Sequence, residues 1–225
     1  YGTSKIFNHP AKLQSFSEGK IAPPIYVRVK PTNVCNHHCY YCAYDSNSPS
    51  GVDRTLQLPK EKAMEILDDF KEMGVKAVTY SGGGEPLVYP HIIEMMKKTL
   101  DYGIDLSMIT NGQNLNGEKA ELLAKAKWIR ISLESCDAKT FSETRRVPEE
   151  WFQELVENIK SFVAIKSPEC ELGINFVVQE KNFDKIYEAI KFFRELGANN
   201  IKLTPRHVDD AEAYHSKFQE TAREQ

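Results

Sequence analysis

Along this chain the period of the apolar residues switches again and again between two and about 3.6, and that alternation belongs to strands and amphipathic helices wound around a largely parallel sheet. Six strands are expected, at Ile25–Val29, Ala77–Tyr80, Leu106–Ile109, Trp128–Leu133, Ile174–Val178 and Ile201–Leu203. Between them, Ala63, Ile66, Leu67, Phe70 and Met73 mark one helical face, and Phe152, Leu155, Val156, Ile159, Phe162 and Val163 mark another. Gly74, Gly103 and Gly197 follow such stretches and suit helix C-caps. With 225 residues, 41% hydrophobic and 27% charged, the chain can bury one sizeable core and is unlike disordered, collagenous or coiled-coil sequences. The reading is an α/β fold: a partial (β/α)6 TIM-type barrel, open on one side. A short N-terminal extension over 1–22 packs on a core at 23–206, and a polar, helix-prone tail covers 207–225 and is open to continuation past Gln225.

Alternation along the strands assigns their faces. Ile129, Ile131 and Leu133 alternate with Arg130, Ser132 and Glu134, and Ile174, Phe176 and Val178 with Asn175, Val177 and Gln179. Likewise Ile25, Val27 and Val29 alternate with Tyr26, Arg28 and Lys30, and Ile201 and Leu203 with Lys202 and Thr204. If helices cover the oily face, the lumen is partly polar, unlike a closed eight-stranded barrel filled with branched apolar side chains. Arg28, Lys30, Arg130 and Lys202 then outnumber Glu134 in the lumen and favour an anionic substrate; the other reading places Arg28, Lys30 and Lys202 at strand entrances, in surface ion pairs. A formal charge of −3 argues against a general nucleic-acid coat. No stretch approaches the ~18 apolar residues of a membrane span. The first twenty residues lack the apolar core of a secretory signal, so a cytoplasmic location is expected.

Three of the five cysteines, Cys35, Cys39 and Cys42, fall within eight residues directly after the first strand, while Cys136 and Cys170 stand apart. An odd, clustered count is unlike a disulfide framework. Three thiolates on a short loop can hold three irons of a cubane and leave the fourth without a protein ligand. Structural zinc sites want four ligands, a fourth that His37 or His38 could in principle supply. A cluster used only for electron transfer is a third reading. Cys136 and Cys170 are read as inert thiols.

The run Cys35-x3-Cys39-x-Tyr41-Cys42 resembles the signature of the radical S-adenosylmethionine superfamily, with Tyr41 at the aromatic position. Further elements occur in the family's order at successive strand ends: Gly83-Gly84-Glu85-Pro86, Thr110-Asn111-Gly112 and Ser132-Leu133-Glu134. The resemblance covers about residues 23–206. It implies a 4Fe-4S cluster on the three cysteines and S-adenosylmethionine as second cofactor. It also implies an amino-group contact at Gly83, Gly84 and Glu85, and a cleft lined by Thr110, Asn111, Ser132 and Glu134. Arg145 or Arg146 falls where relatives place an arginine on the cofactor carboxylate. Asn175 either faces the ribose or packs in the lumen; Gly173 stands where many relatives carry a lysine. The activity implied is reductive cleavage of S-adenosylmethionine to a 5′-deoxyadenosyl radical that abstracts hydrogen from a substrate. A low-potential donor of flavodoxin or ferredoxin type would supply the electron. The substrate would be an anionic sugar, nucleotide or carboxylate, with a peptide as the rival.

Overall fold

The computed structural model describes residues 7–44 and 52–225. Helix α1 (Pro10–Ser17) precedes strand β1 (Tyr26–Val29), and α2 (Lys60–Glu72) leads to β2 (Ala77–Tyr80). After β2 come a 3-10 turn (Pro86–Val88), α3 (Ile92–Asp101), β3 (Asp105–Thr110), α4 (Gly117–Leu123) and β4 (Trp128–Ser132). Two helices, α5 (Ala138–Arg145) and α6 (Glu150–Ile165), separate β4 from β5 (Glu171–Val178); α7 (Ile186–Glu195), β6 (Asn200–Pro205), α8 (Ala211–His215) and α9 (Gln219–Glu224) complete the order.

Every strand pairs parallel with the next in the chain, giving one sheet ordered β1-β2-β3-β4-β5-β6 that does not close. All six expected strands are present, with ends moved by up to three residues. Outward residues Val29, Tyr80, Met108, Ile129 and Leu172 share one register row and are buried. Ala63, Leu67 and Phe70 of α2 and Phe152, Leu155, Val156, Ile159 and Phe162 of α6 are buried in the same core. Each fully buried Leu, Ile or Phe contributes about 1.5–3 kcal/mol relative to its exposed state, so this layer dominates the stability. Met73, expected on the buried face of α2, lies just past its end and is exposed.

Inward, the sheet is polar. Thr79 and Ser107 face each other across β2 and β3 with hydroxyls 2.6 Å apart, and Arg130, Ser132, Asn175 and Lys202 occupy the neighbouring strands. Gly74, Gly103 and Gly197 all have positive φ at helix ends, as C-caps require.

Two expectations are corrected at the margins. The described part of the extension makes only a loose contact: Lys12 Nζ donates to Pro23 O at 2.9 Å, but α1 buries no residue and Ile21 is fully exposed; residues 1–6 lie outside the described residues. Leu203 on β6 is also exposed, because α8 and α9 cover this edge strand only in part, with Phe218 stacked on Phe183 as the tail's anchor.

Arg146 closes α5 at φ 54°, the left-handed region that a residue bearing a Cβ enters at a cost of about 1–2 kcal/mol. Arg146→Gly is therefore expected to raise stability by about 0.5–1 kcal/mol, the glycine's greater backbone entropy offsetting part of the relief. A urea titration comparing the two midpoints checks it.

Candidate functional site

The site lies at the C-terminal edge of the sheet, where loops rather than strands present side chains. Past β1 and β2 the two chains stay zipped: the N–H of Gly84 donates to Thr32 O at 3.0 Å and that of Glu85 to Val34 O at 2.8 Å. A Cβ on Gly84 would lie 2.0 Å from Val34 O, and one on Gly83 2.4 Å from Asn33 Oδ1. The glycines here let the chain approach itself, setting Cys35 against the β2 loop.

Glu85 is buried, and its carboxylate joins three segments. It accepts from the Thr110 hydroxyl at 2.6 Å, the Asn111 N–H at 2.6 Å and the Leu87 N–H at 2.9 Å. Burial pushes its pKa up, partly offset by these donors. Asn111 Nδ2 also donates to Asn36 Oδ1 at 2.7 Å, so the ends of β2 and β3 both grip the cysteine loop.

On the other side, the guanidinium of Arg145 forms a fork on Glu134, at 2.5 Å from Nε and 2.7 Å from Nη2, and Nη2 also donates to Ser132 O at 2.5 Å. Both side chains are almost wholly buried. Burial opposes charge on Arg145, but Glu134 outweighs it and holds the guanidinium above its usual pKa. The carbonyls of Arg145 and Thr144 accept from the N–H groups of His38 and Tyr40, fastening the loop to the end of α5.

One cavity of about 370 Å³ collects these elements. Its wall includes Cys35, Cys39, Tyr41, Cys42, Gly83, Gly84, Glu85, Thr110, Asn111, Ser132 and Arg145. Of the two candidate arginines, Arg145 is the one that lines it, while Arg146 is exposed. Two of the proposed cofactor contacts lie elsewhere. Glu134 is fully buried and faces Arg145, not the lumen, because β4 ends at Ser132 and strict alternation stops there. Asn175 lines a second cavity, where its Oδ1 accepts from the Thr204 hydroxyl at 2.9 Å. The inward cations divide too: Lys30 lines the cysteine cavity, donating to Tyr44 at 2.8 Å, whereas Arg130 and Lys202 line the second and Arg28 lines both.

The donor set fits a cubane. Three thiols share the wall of one cavity. Among the described residues no three His, Cys, Asp or Glu side chains converge to hold a single metal ion, as a mononuclear zinc site would need, whereas a cubane takes each thiolate on a separate iron. Burial pushes the thiols of Cys35 and Cys39 up, Cys39 to about 12, so metal binding there displaces protons. Neither histidine completes a zinc set. His37 is buried against Phe141 and Trp151 with Nδ1 3.4 Å from Arg145 Nη1, and burial together with Arg145 lowers its pKa to about 3. His38 is exposed.

Arg54 escaped the sequence reading. It lines the cavity and donates to His37 O at 3.1 Å, yet it belongs to no motif and only the fold brings it back to the cysteine loop.

Comparison with known proteins agrees with this geometry. The family model described as "Radical SAM superfamily" matches residues 29–193. A probable GTP 3′,8-cyclase of Saccharolobus islandicus (strain M.14.25 / Kamchatka #1) is 30% identical over 184 residues, covering 80% of this chain and 56% of the relative. Its counterpart in Saccharolobus solfataricus is 31% identical with the same coverage. The chain thus spans little more than half the length of these relatives. Among solved structures, Streptococcus suis SuiB bound to precursor peptide SuiA superposes with a TM-score of 0.69 at 23% identity, covering 89% of this chain and 43% of SuiB. The enzyme anSMEcpe with bound AdoMet gives 0.64 at 18% identity, over 82% of this chain and 52% of that one. Among the described residues no helix is long and apolar enough to cross a membrane. With the family model matching most of the chain and its motifs gathered on one cavity wall, this protein belongs to the Radical SAM superfamily, enzymes that use a 4Fe-4S cluster and S-adenosylmethionine.

Proposed function

We propose that this chain cleaves S-adenosylmethionine at a cluster held by Cys35, Cys39 and Cys42 and directs the resulting chemistry at a small anionic substrate in the lumen. The observation that carries the reading is the shared cavity: three thiols face the Gly83–Glu85 loop, Thr110, Asn111, Ser132 and Arg145 across about 370 Å³. When bound, the cluster supplies a low-potential electron and an open iron, and S-adenosylmethionine supplies the 5′-deoxyadenosyl group. The chain's own part is positioning. Glu85, fixed by three donors, keeps one lone pair, on Oε2, for an ammonium, and the crowded Gly83 and Gly84 backbone forms the floor beside it. Arg145 commits Nε and Nη2 to Glu134 and Ser132, and Nη1, which lies 3.4 Å from His37 Nδ1, carries a second N–H for a carboxylate. Ser132 and Thr110 line the same wall for the ribose, Asn175 stands beyond them at the lumen, and Tyr41 lines the cysteine cavity.

A flavodoxin- or ferredoxin-type donor and a cytoplasmic setting go with this reading, since the thiols must stay reduced to take up iron. Arg28, Arg130 and Lys202 around the second cavity favour a small anion over an extended peptide. The GTP named in the relatives' description is such an anion, while SuiB, solved with a peptide, shares only the fold.

The test is direct. Protein reconstituted with iron and sulfide without oxygen, then given dithionite and S-adenosylmethionine, is expected to release 5′-deoxyadenosine, measured by chromatography. Cys39→Ala is expected to reduce release by about 100-fold or more, since losing a mere outer-shell partner already costs about 10–100-fold. Equal release from the variant would overturn the assignment.

A further inference from the structure

The second cavity, about 400 Å³, opens off the first: Arg28, Ile109 and Ser132 belong to both walls. Its lining holds three cations and no carboxylate. The register explains how they meet. Ser132, Asn175 and Lys202 lie in one row across β4, β5 and β6, and Arg130, Gly173 and Asn200 lie in the row two residues below. Gly173 leaves the lumen floor bare beside Arg130: a Cβ there would stand 3.4 Å from Arg130 Nε and 2.7 Å from Asn200 Oδ1. The Arg130 guanidinium lies along this gap with its Cζ 5.4 Å from the Trp128 ring, which fixes the plane of the fork. Above it, the Thr204 hydroxyl occupies Asn175 Oδ1, which turns the Asn175 amide nitrogen, a donor, away from Thr204.

We infer that Arg130, Lys202 and Arg28 form a seat for a phosphate group, so that the substrate is a phosphate ester held by its phosphate on the lumen floor with its carbon skeleton directed toward the cysteine cavity. A carboxylate offers two acceptor oxygens, whereas a phosphate offers three, one each for a guanidinium fork, an ammonium and an amide in this lining. The inference rests on the proposed function for the direction of the skeleton and not for the seat itself.

Calorimetric titration of the reconstituted protein tests it, with pyrophosphate, ribose 5-phosphate, GMP and acetate in separate arms. Pyrophosphate is expected to bind and to weaken as salt rises, with acetate at least about tenfold weaker, the margin that charge-assisted hydrogen bonds supply. Tighter binding of ribose 5-phosphate than of GMP, or the reverse, supports the seat and tells a sugar phosphate from a nucleotide. Arg130→Gln with Lys202→Gln is expected to weaken pyrophosphate by about tenfold or more. Circular dichroism melts confirm that the double variant folds. Acetate binding as tightly as pyrophosphate, or unchanged pyrophosphate affinity in the double variant, would overturn the seat. Pyrophosphate binding in a preparation that releases no 5′-deoxyadenosine supports the seat while counting against the cleavage reading, so the two fail separately.

Discussion

Arg145→Met, made with Glu134 left in place, is expected to lower unfolding free energy by about 3–5 kcal/mol, because it strands a carboxylate with no accessible surface. The same charge removed in water would cost little. Here both oxygens of Glu134 are committed to the guanidinium, at 2.5 and 2.7 Å, and Ser132 O loses its donor as well. The double variant Glu134→Leu with Arg145→Met is expected to recover most of the loss, since an apolar pair of similar volume removes the uncompensated charge. Denaturation midpoints of the wild type and the two variants decide the matter; a single variant no worse than the double would show that the pair is not the electrostatic unit described. The damage should reach the chemistry too. His38 and Tyr40 are hydrogen-bonded through their backbone to the Arg145 and Thr144 carbonyls, so a displaced α5 terminus loosens the segment between Cys35 and Cys42.

Gly84→Ala is the second large effect. Its new methyl would stand 2.0 Å from Val34 O and 2.5 Å from the carbonyl carbon of Asn33, both backbone atoms that no rotamer change can move. Separating them breaks the two hydrogen bonds that carry the β1-β2 pairing into the loops, and the residue after Val34 is Cys35. A loss on the order of 3 kcal/mol is expected, among the larger single-residue effects, together with iron content well below that of the wild type after identical reconstitution. Gly103→Ala serves as the control. It has open space around its Cβ and only its φ of 66° against it, for a cost of about 1–2 kcal/mol and normal iron. Equal iron loading in the two variants would show that the close approach at Gly84 does not position Cys35.

Much of the architecture was legible because it is written in local alternation. Ile129 and Ile131, or Ile174 and Phe176, declare a face through neighbours two residues away, and parallel order follows from intervening amphipathic helices. The strand ends were less so. β5 begins at Glu171, three residues before Ile174, because Gly173 interrupts the β-branched pattern, and β6 runs on to Pro205 because an edge strand tolerates a residue with no N–H. The cysteine loop and the strand-end motifs were equally visible as short strings. The Glu134–Arg145 fork was not, since those residues are eleven apart and meet only after β4 has ended and α5 has turned back. Arg54 reaches the site through tertiary packing alone, and nothing in its neighbourhood announces it; His37 stands inside the cysteine loop, but its burial against Phe141 and Trp151 depends on the fold. The split of the inward cations into two groups likewise depends on sheet curvature, which alternation does not encode.

A final consequence concerns where the thiol-bearing loop is rooted. Among the described residues β1 has a neighbouring strand on one flank only, so its amides are expected to be among the first of the sheet to trade protons with water. Anything that bridges Cys35 to Cys39 and Cys42 ties that fraying margin to the end of α5, and iron uptake should therefore be visible as slowed deuterium exchange along the whole of β1, not merely within the loop. In this architecture the prosthetic group would be a rivet for the scaffold as well as its working part.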